Sequence, residues 1–211
     1  MAVIVLGLVA IVLTQAVVHH KALAELDGPF RDWVIDHRSG FWTEVMVSAS
    51  RFGSTPSLIV IVLATGAWLA WKGRKGDSLL VVAGSAGALA LGPVLKALVE
   101  RPRPALSDHV VFVNSWSYPS GHSLNSMAVL GLLTVLAIRE RPGAVRRTAL
   151  AVLGAFLVVV VGFSRVYLGV HWPSDVLAGW LIGVLWLTIC FTFAHLTRGN
   201  TRTSGTVRGS S

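Results

Sequence analysis

Runs of about twenty mostly apolar residues recur along this chain, and they rule out most soluble folds before any motif is considered. A helix needs about 20 such residues, within roughly 17–25, to cross the hydrocarbon core of a bilayer. Six segments reach or approach that length, at 2–18, 56–71, 78–99, 123–138, 149–170 and 173–196. The spacing predicts an all-α membrane protein, a six-span helix bundle forming one unit over residues 1–198. The first segment lacks a basic leader and a small-residue cleavage site, so it reads as an uncleaved span. Residues 199–211, rich in Gly, Ser, Thr and Arg, read as a disordered tail.

Charge supports the same class. Only 13% of the 211 residues are charged, about half the roughly 25% of a soluble domain. A net charge of +8 would suit nucleic acid only as a basic stripe on a soluble fold. Here the charges sit in short clusters between apolar runs. The 72–77 loop, the 139–148 loop and the tail beyond Leu196 hold ten basic residues and two acidic ones, the whole of the net charge. The positive-inside rule makes that face cytoplasmic, with both termini inside a plasma membrane. The connections at 19–55, 100–122 and 171–175 then face outward. Cys190 stands alone, so no disulfide can form within the chain, and no Cys/His cluster suggests structural zinc.

The 19–55 connection is more than a linker. Leu23, Leu26, Phe30, Trp33 and Val34, then Phe41, Trp42, Val45, Met46 and Val47, fall at roughly helical spacing with acids between them. One or two amphipathic helices are expected, either lying in the interface or packed on the bundle.

Three polar clusters interrupt the apolar pattern: Lys96 to Pro104, Tyr118 to Ser123, and Ser164 to Asp175. Counting spans brings all three to the same membrane face, as a site assembled from distant segments requires. Lys96, Arg103 and Arg165 would repel one another unless an anion lay between them. Arg101 either joins them or reaches the lipid headgroups. The arginine fork suits phosphate oxygens. Ser120 and Gly121 precede a helix, so their N–H groups can face the same anion. Pro173 suits a first helical turn. That places Asp175 four residues past His171, where it can hold one imidazole nitrogen and leave the other basic. His122 is a second, separate imidazole. A nucleophile and a general acid are both available.

These clusters resemble the motif set of the type 2 phosphatidic acid phosphatase family, K-x6-R-P, P-S-G-H and S-R-x5-H-x3-D. They appear here as Lys96 to Arg103-Pro104, Pro119 to His122, and Ser164-Arg165 with His171 and Asp175. The match spans about residues 96–175. The resemblance implies that His171 attacks phosphorus and becomes a phosphohistidine, with Asp175 orienting it. It makes His122 the acid that protonates the leaving oxygen and then activates water. Lys96, Arg103, Ser120, Gly121 and Arg165 would hold the phosphoryl oxygens, and no metal or other cofactor would be required.

The expected activity is hydrolysis of a lipid phosphate or pyrophosphate: polyprenyl pyrophosphate, phosphatidylglycerol phosphate or phosphatidic acid. Three other readings compete. Vanadate-dependent haloperoxidases share the motifs but are soluble. A phosphotransferase would pass the phosphoryl group to another acceptor. A lipid or phosphate transporter would place its site near the bilayer midplane rather than at helix ends.

Overall fold

The structure, a computed structural model, describes residues 4, 5, 7, 8, 14, 15, 23–140 and 143–203. The described residues of the first expected span are helical; the rest of that span and residues 204–211 lie outside the description. Seven α-helices follow: α1 (Leu23–Asp36), α2 (Gly40–Phe52), α3 (Thr55–Trp71), α4 (Lys75–Val99), α5 (Gly121–Arg139), α6 (Ala144–Tyr167) and α7 (Pro173–Thr203). A 3₁₀ turn, Leu106–Asp108, interrupts the long connection between α4 and α5.

Among the described residues, α4, α5, α6 and the Pro173–Thr197 part of α7 are long and apolar enough to cross a membrane. Helix α3 has 17 residues, about 25 Å at 1.5 Å per residue, which is short of a core about 30 Å thick. It passes as a span only together with α2, from which it is bent by 49°. The described residues thus supply four or five of the six spans expected.

Helix α5 is the centre of the bundle. Half of its membrane window is buried, against 28–39% for the other three, and α4, α6 and α7 all pack on it. Leu58 and Val62 of α3, Val81 of α4, Val129 and Leu132 of α5, and Val158 of α6 form one core cluster. The approach of α7 to α5 depends on small residues. A Cβ added at Gly179 would lie 2.7 Å from the Ser120 carbonyl oxygen and 3.0 Å from the Leu124 nitrogen. One added at Gly183 would lie 2.7 Å from the Met127 side chain. Missing side chains let the two backbones meet. Val152, Leu153, Phe156 and Val159 of α6 point outward, where lipid tails replace water.

Helix α1 reverses the usual polarity of a surface helix. Asp27, Arg31 and Val34 are buried at 3%, 7% and 3% exposure, while Leu26, Phe30 and Trp33 are exposed. Its large apolar side chains look away from the bundle and two of its charged groups, Asp27 and Arg31, look in, while Glu25, Asp32 and Asp36 stay exposed. Arg31 pairs with Asp108 of the α4–α5 connection. Arg38 donates from Nε to the Tyr167 carbonyl at 2.7 Å and from Nη1 to the Asp108 carbonyl at 3.0 Å. Gly169, at φ +76°, faces these same groups, and a Cβ there would collide with the Asp108 carbonyl. Only glycine suits both demands.

Candidate active site

The end of α4 aims the first cluster. Lys96 lies in its last turn, and Glu100 closes the helix in a left-handed conformation, φ 49°. That turn sends the chain across the bundle end, so that Arg101 reaches the first turn of α7 and Arg103 reaches Val170 and His171 just before it. Ser120 caps α5, and α6 delivers Arg165 in its last turn before the chain turns at Gly169 to His171. All three sequence clusters meet at one end of the bundle. The 72–77 segment and Glu140, at the end of α5, meet at the other, where Arg74 pairs with both Asp77 and Glu140.

His171 is 2% exposed and Asp175 is fully buried. The imidazole Nδ1 faces Asp175 Oδ2 at 3.3 Å. On the other side, Arg103 Nη1 lies 3.2 Å from His171 Nε2. A guanidinium can only donate, so Nε2 carries the lone pair and Nδ1 carries the proton. Burial pushes the His171 imidazole down to about 3, against the opposing pull of Asp175. The ring is therefore neutral at ordinary pH, and its basic nitrogen points toward cations.

Asp175 gathers four donors around its carboxylate. Besides His171 it accepts from Ser117 Oγ at 2.5 Å, the Trp172 backbone N–H at 3.0 Å and Arg101 Nη1 at 2.6 Å. The indole of Trp172 sits between two guanidinium groups, with Arg31 5.4 Å and Arg101 5.6 Å from its ring centre. Arg101 therefore neither joins the cation cluster nor reaches headgroups. It is committed to Asp175 and to Asp27.

The expected phosphate-holding cations lie around His171, each with a protein partner. Arg103 donates to the Ser115 carbonyl at 2.6 Å, to Ser115 Oγ at 3.1 Å and to the Val170 carbonyl. Burial pulls its guanidinium below the usual range. Lys96 donates to the carbonyls of Trp116 and Ser117. Arg165 is 3% exposed and donates to Ser50 Oγ, while its Nε is buried without a partner among the described residues. His122 hydrogen-bonds the backbone carbonyl of Ser50 and feels the charges of Arg165 and Arg103. Ser50 of α2 thus touches both.

One expectation needs correction. The Ser120 backbone N–H does not face an anion, because it donates to the Asp175 carbonyl at 3.0 Å. Its hydroxyl accepts from Ser123 Oγ at 3.0 Å. The close approach of α7 takes up the N–H, and capping the first turn of α5 takes up the hydroxyl. At Gly121 an added Cβ would meet nothing within 4 Å, so the space beside its backbone is open. Asp27, Ser50, Arg101 and Ser117 were missed by sequence reasoning in these roles. Only Arg101 left a signal, as a charge inside the first motif.

The arrangement can place a neutral imidazole nitrogen against an anion held by several cations, with a second imidazole nearby. Known proteins share its frame. The PAP2 superfamily model matches residues 77–198. Phosphatidylglycerophosphatase B of Bacillus subtilis is 30% identical over 171 residues, covering 81% of this chain and 84% of that protein. An undecaprenyl-diphosphatase of Sulfolobus acidocaldarius is 32% identical over 144 residues, covering 66% of this chain and 64% of that one. The crystal structure of a transmembrane PAP2 type phosphatidylglycerolphosphate phosphatase from Bacillus subtilis superposes with a TM-score of 0.84 at 28% identity. It covers 92% of this chain and 96% of that one. With a family model over more than half its length and a relative of this identity and coverage, the chain belongs to the PAP2 superfamily.

Proposed function

We propose that this protein hydrolyses the terminal phosphate of a membrane lipid phosphate or pyrophosphate through a covalent intermediate on His171. The observation that carries the reading is the orientation of that imidazole. Its protonated nitrogen faces Asp175 and its lone pair faces Arg103.

In the first step a bond forms between Nε2 and phosphorus, and the bond from phosphorus to the lipid oxygen breaks. The electron pair leaves on that oxygen, which takes a proton from His122. In the second step His122 removes a proton from water as the water oxygen bonds to phosphorus. The nitrogen–phosphorus bond breaks, and its electrons return to His171. Arg103, Arg165, Lys96 and the Gly121 N–H would carry the charge on the equatorial oxygens, as phosphoryl transfer demands. These groups supply that charge from the protein, so the reaction is proposed to need no metal. Among the described residues no third His, Cys, Asp or Glu joins His171 and Asp175 to complete a metal site.

The substrates named for the relatives, with an outward-facing site, favour a polyprenyl pyrophosphate or phosphatidylglycerol phosphate. Phosphate release from each by purified protein, with a chelator present, ranks them. Activity abolished by chelation and restored by one divalent metal would overturn the metal-free scheme. Capture of the phosphoryl group by an added alcohol in preference to water would favour transfer over hydrolysis.

The two histidines separate on an aryl phosphate with an acidic phenol, which needs little protonation as it leaves. His122→Ala should recover part of the roughly 10²–10⁴-fold that a general acid supplies, and His171→Ala should stay inactive. Rescue of both variants to the same degree would overturn the roles.

A further inference from the structure

Arg101 lies between two buried carboxylates that come from opposite ends of the described chain. Its Nη1 reaches Asp175 Oδ1 at 2.6 Å and Ser174 Oγ at 2.8 Å, and its Nη2 reaches Asp27 Oδ2 at 2.8 Å. The side chains of Asp27 and Asp175 are 3% and 0% exposed. Asp27 is further fixed by Ser174, whose backbone N–H donates to Oδ1 at 2.8 Å and whose hydroxyl donates to Oδ2. Helix α1 thus sends one charged group to the first turn of α7, one residue from Asp175.

Arg101 alone holds Asp175 Oδ1, while Ser117, the Trp172 N–H and His171 share Oδ2. Ser117, Arg101 and the Trp172 N–H lie at 2.5, 2.6 and 3.0 Å, and His171 is the most distant at 3.3 Å. The contact with the imidazole is the one most easily lost. With Asp175 as its single counter-charge, the buried guanidinium would be undercompensated and would pull on both carboxylate oxygens. Asp27 provides a second.

We propose that Asp27 is a positioning residue for the His171–Asp175 pair: by holding the far side of Arg101, it keeps the guanidinium on Asp175 Oδ1 and so leaves Oδ2 facing the imidazole. The inference rests on the reaction proposed for His171. It gives helix α1 a part in that reaction through Arg101, without contact with substrate.

Asp27→Asn tests it, because the amide keeps an oxygen for the Ser174 N–H and removes the charge and the acceptor that face Arg101. The expected result is a kcat for an aryl phosphate lowered roughly tenfold, the scale on which a partner behind an orienting group acts, with KM nearly unchanged. Arg101→Gln should lower kcat similarly, and the double variant should be no slower than Arg101→Gln alone. A residue that merely caps α7 would leave kcat at the wild-type value or add its loss to that of Arg101→Gln, and either outcome overturns the proposal.

A second readout needs no turnover. With ¹⁵N-labelled histidine, the Nδ1–H signal of His171, assigned by its loss in His171→Ala, should shift or broaden in Asp27→Asn. An unchanged signal overturns the proposal whatever the enzyme hydrolyses. A shifted signal in a protein that releases no phosphate would instead condemn the reaction. If Asp27→Asn does not fold, Arg101→Lys replaces it: one ammonium cannot span both carboxylates as the guanidinium does. Wild-type kcat and an unmoved signal in that variant would count equally against the idea.

Discussion

The two ends of the bundle use the same ionisable residue types in opposite ways. At the site end, Asp27, Arg101, Arg165 and Asp175 are almost wholly desolvated and bonded across α1, α2, α4's continuation, α6 and α7. At the other end, Arg74 meets Asp77 and Glu140 with side chains 28%, 16% and 41% exposed, and Arg146 and Arg147 lie on the surface. Removing one member of a desolvated pair strands a buried charge, which costs far more than breaking a hydrated pair. The site end spends its charges on position. The other end contributes mainly sign, which is what the positive-inside rule reads.

That contrast can be broken by four measurements. The largest effect is expected from Asp175→Asn. An amide can offer its N–H to Nδ1 and force the imidazole proton onto Nε2, the attacking nitrogen. Loss of the corresponding carboxylate behind a catalytic imidazole costs about 10⁴-fold in kcat. A loss below tenfold would mean the buried end tolerates change as a surface does. Next is Arg165→Ala, which removes a group proposed above to carry the developing phosphoryl charge. Turnover should fall about 10²–10³-fold, with the same variant binding vanadate less tightly; unchanged vanadate inhibition would place Arg165 outside the site.

Glu140→Gln should do little at the opposite end. Stability should change by less than about 1 kcal/mol and kcat should stay at the wild-type value, read by thermal unfolding in detergent and by aryl phosphate turnover. A substantial loss of turnover would show that the two ends communicate. The smallest effect concerns pH. The folded His171 is held down to about 3, whereas an unfolded imidazole titrates near about 6.5. Between these values the unfolded chain binds more protons, so stability falls as pH drops through that window. Unfolding temperatures at about pH 7.5 and about pH 5 should converge in His171→Gln relative to wild type. An identical pH dependence would mean that the buried imidazole does not contribute.

Much of the site could be read from the sequence because its motifs sit at helix ends, and helix ends alternate between faces. That logic brought Lys96, Arg103, His122, Arg165, His171 and Asp175 together from three distant segments. It could not find Asp27 or Ser50, whose partners Arg101 and Arg165 lie 74 and 115 residues away and share no motif with them. Helix α1 was legible as amphipathic, but its polarity was not. A periodicity of Leu26, Phe30 and Trp33 does not say whether the apolar stripe faces protein or lipid. In a bilayer the surrounding medium is itself apolar, so the charged stripe can be the inner one. The Ser120 N–H was misassigned for a related reason. Its competitor, the Asp175 carbonyl, arrives only because Gly179 admits α7 so closely.

The Ser120–Asp175 backbone bond joins the first turns of the two helices that carry His122 and adjoin His171. Backbone sets their separation, while side chains elsewhere set what surrounds them. A thicker or thinner bilayer can tilt α5 and α7, and it will tilt them as a hinged pair. Lipid composition should then change how readily a headgroup arrives, while the gap between His122 and His171 stays constant.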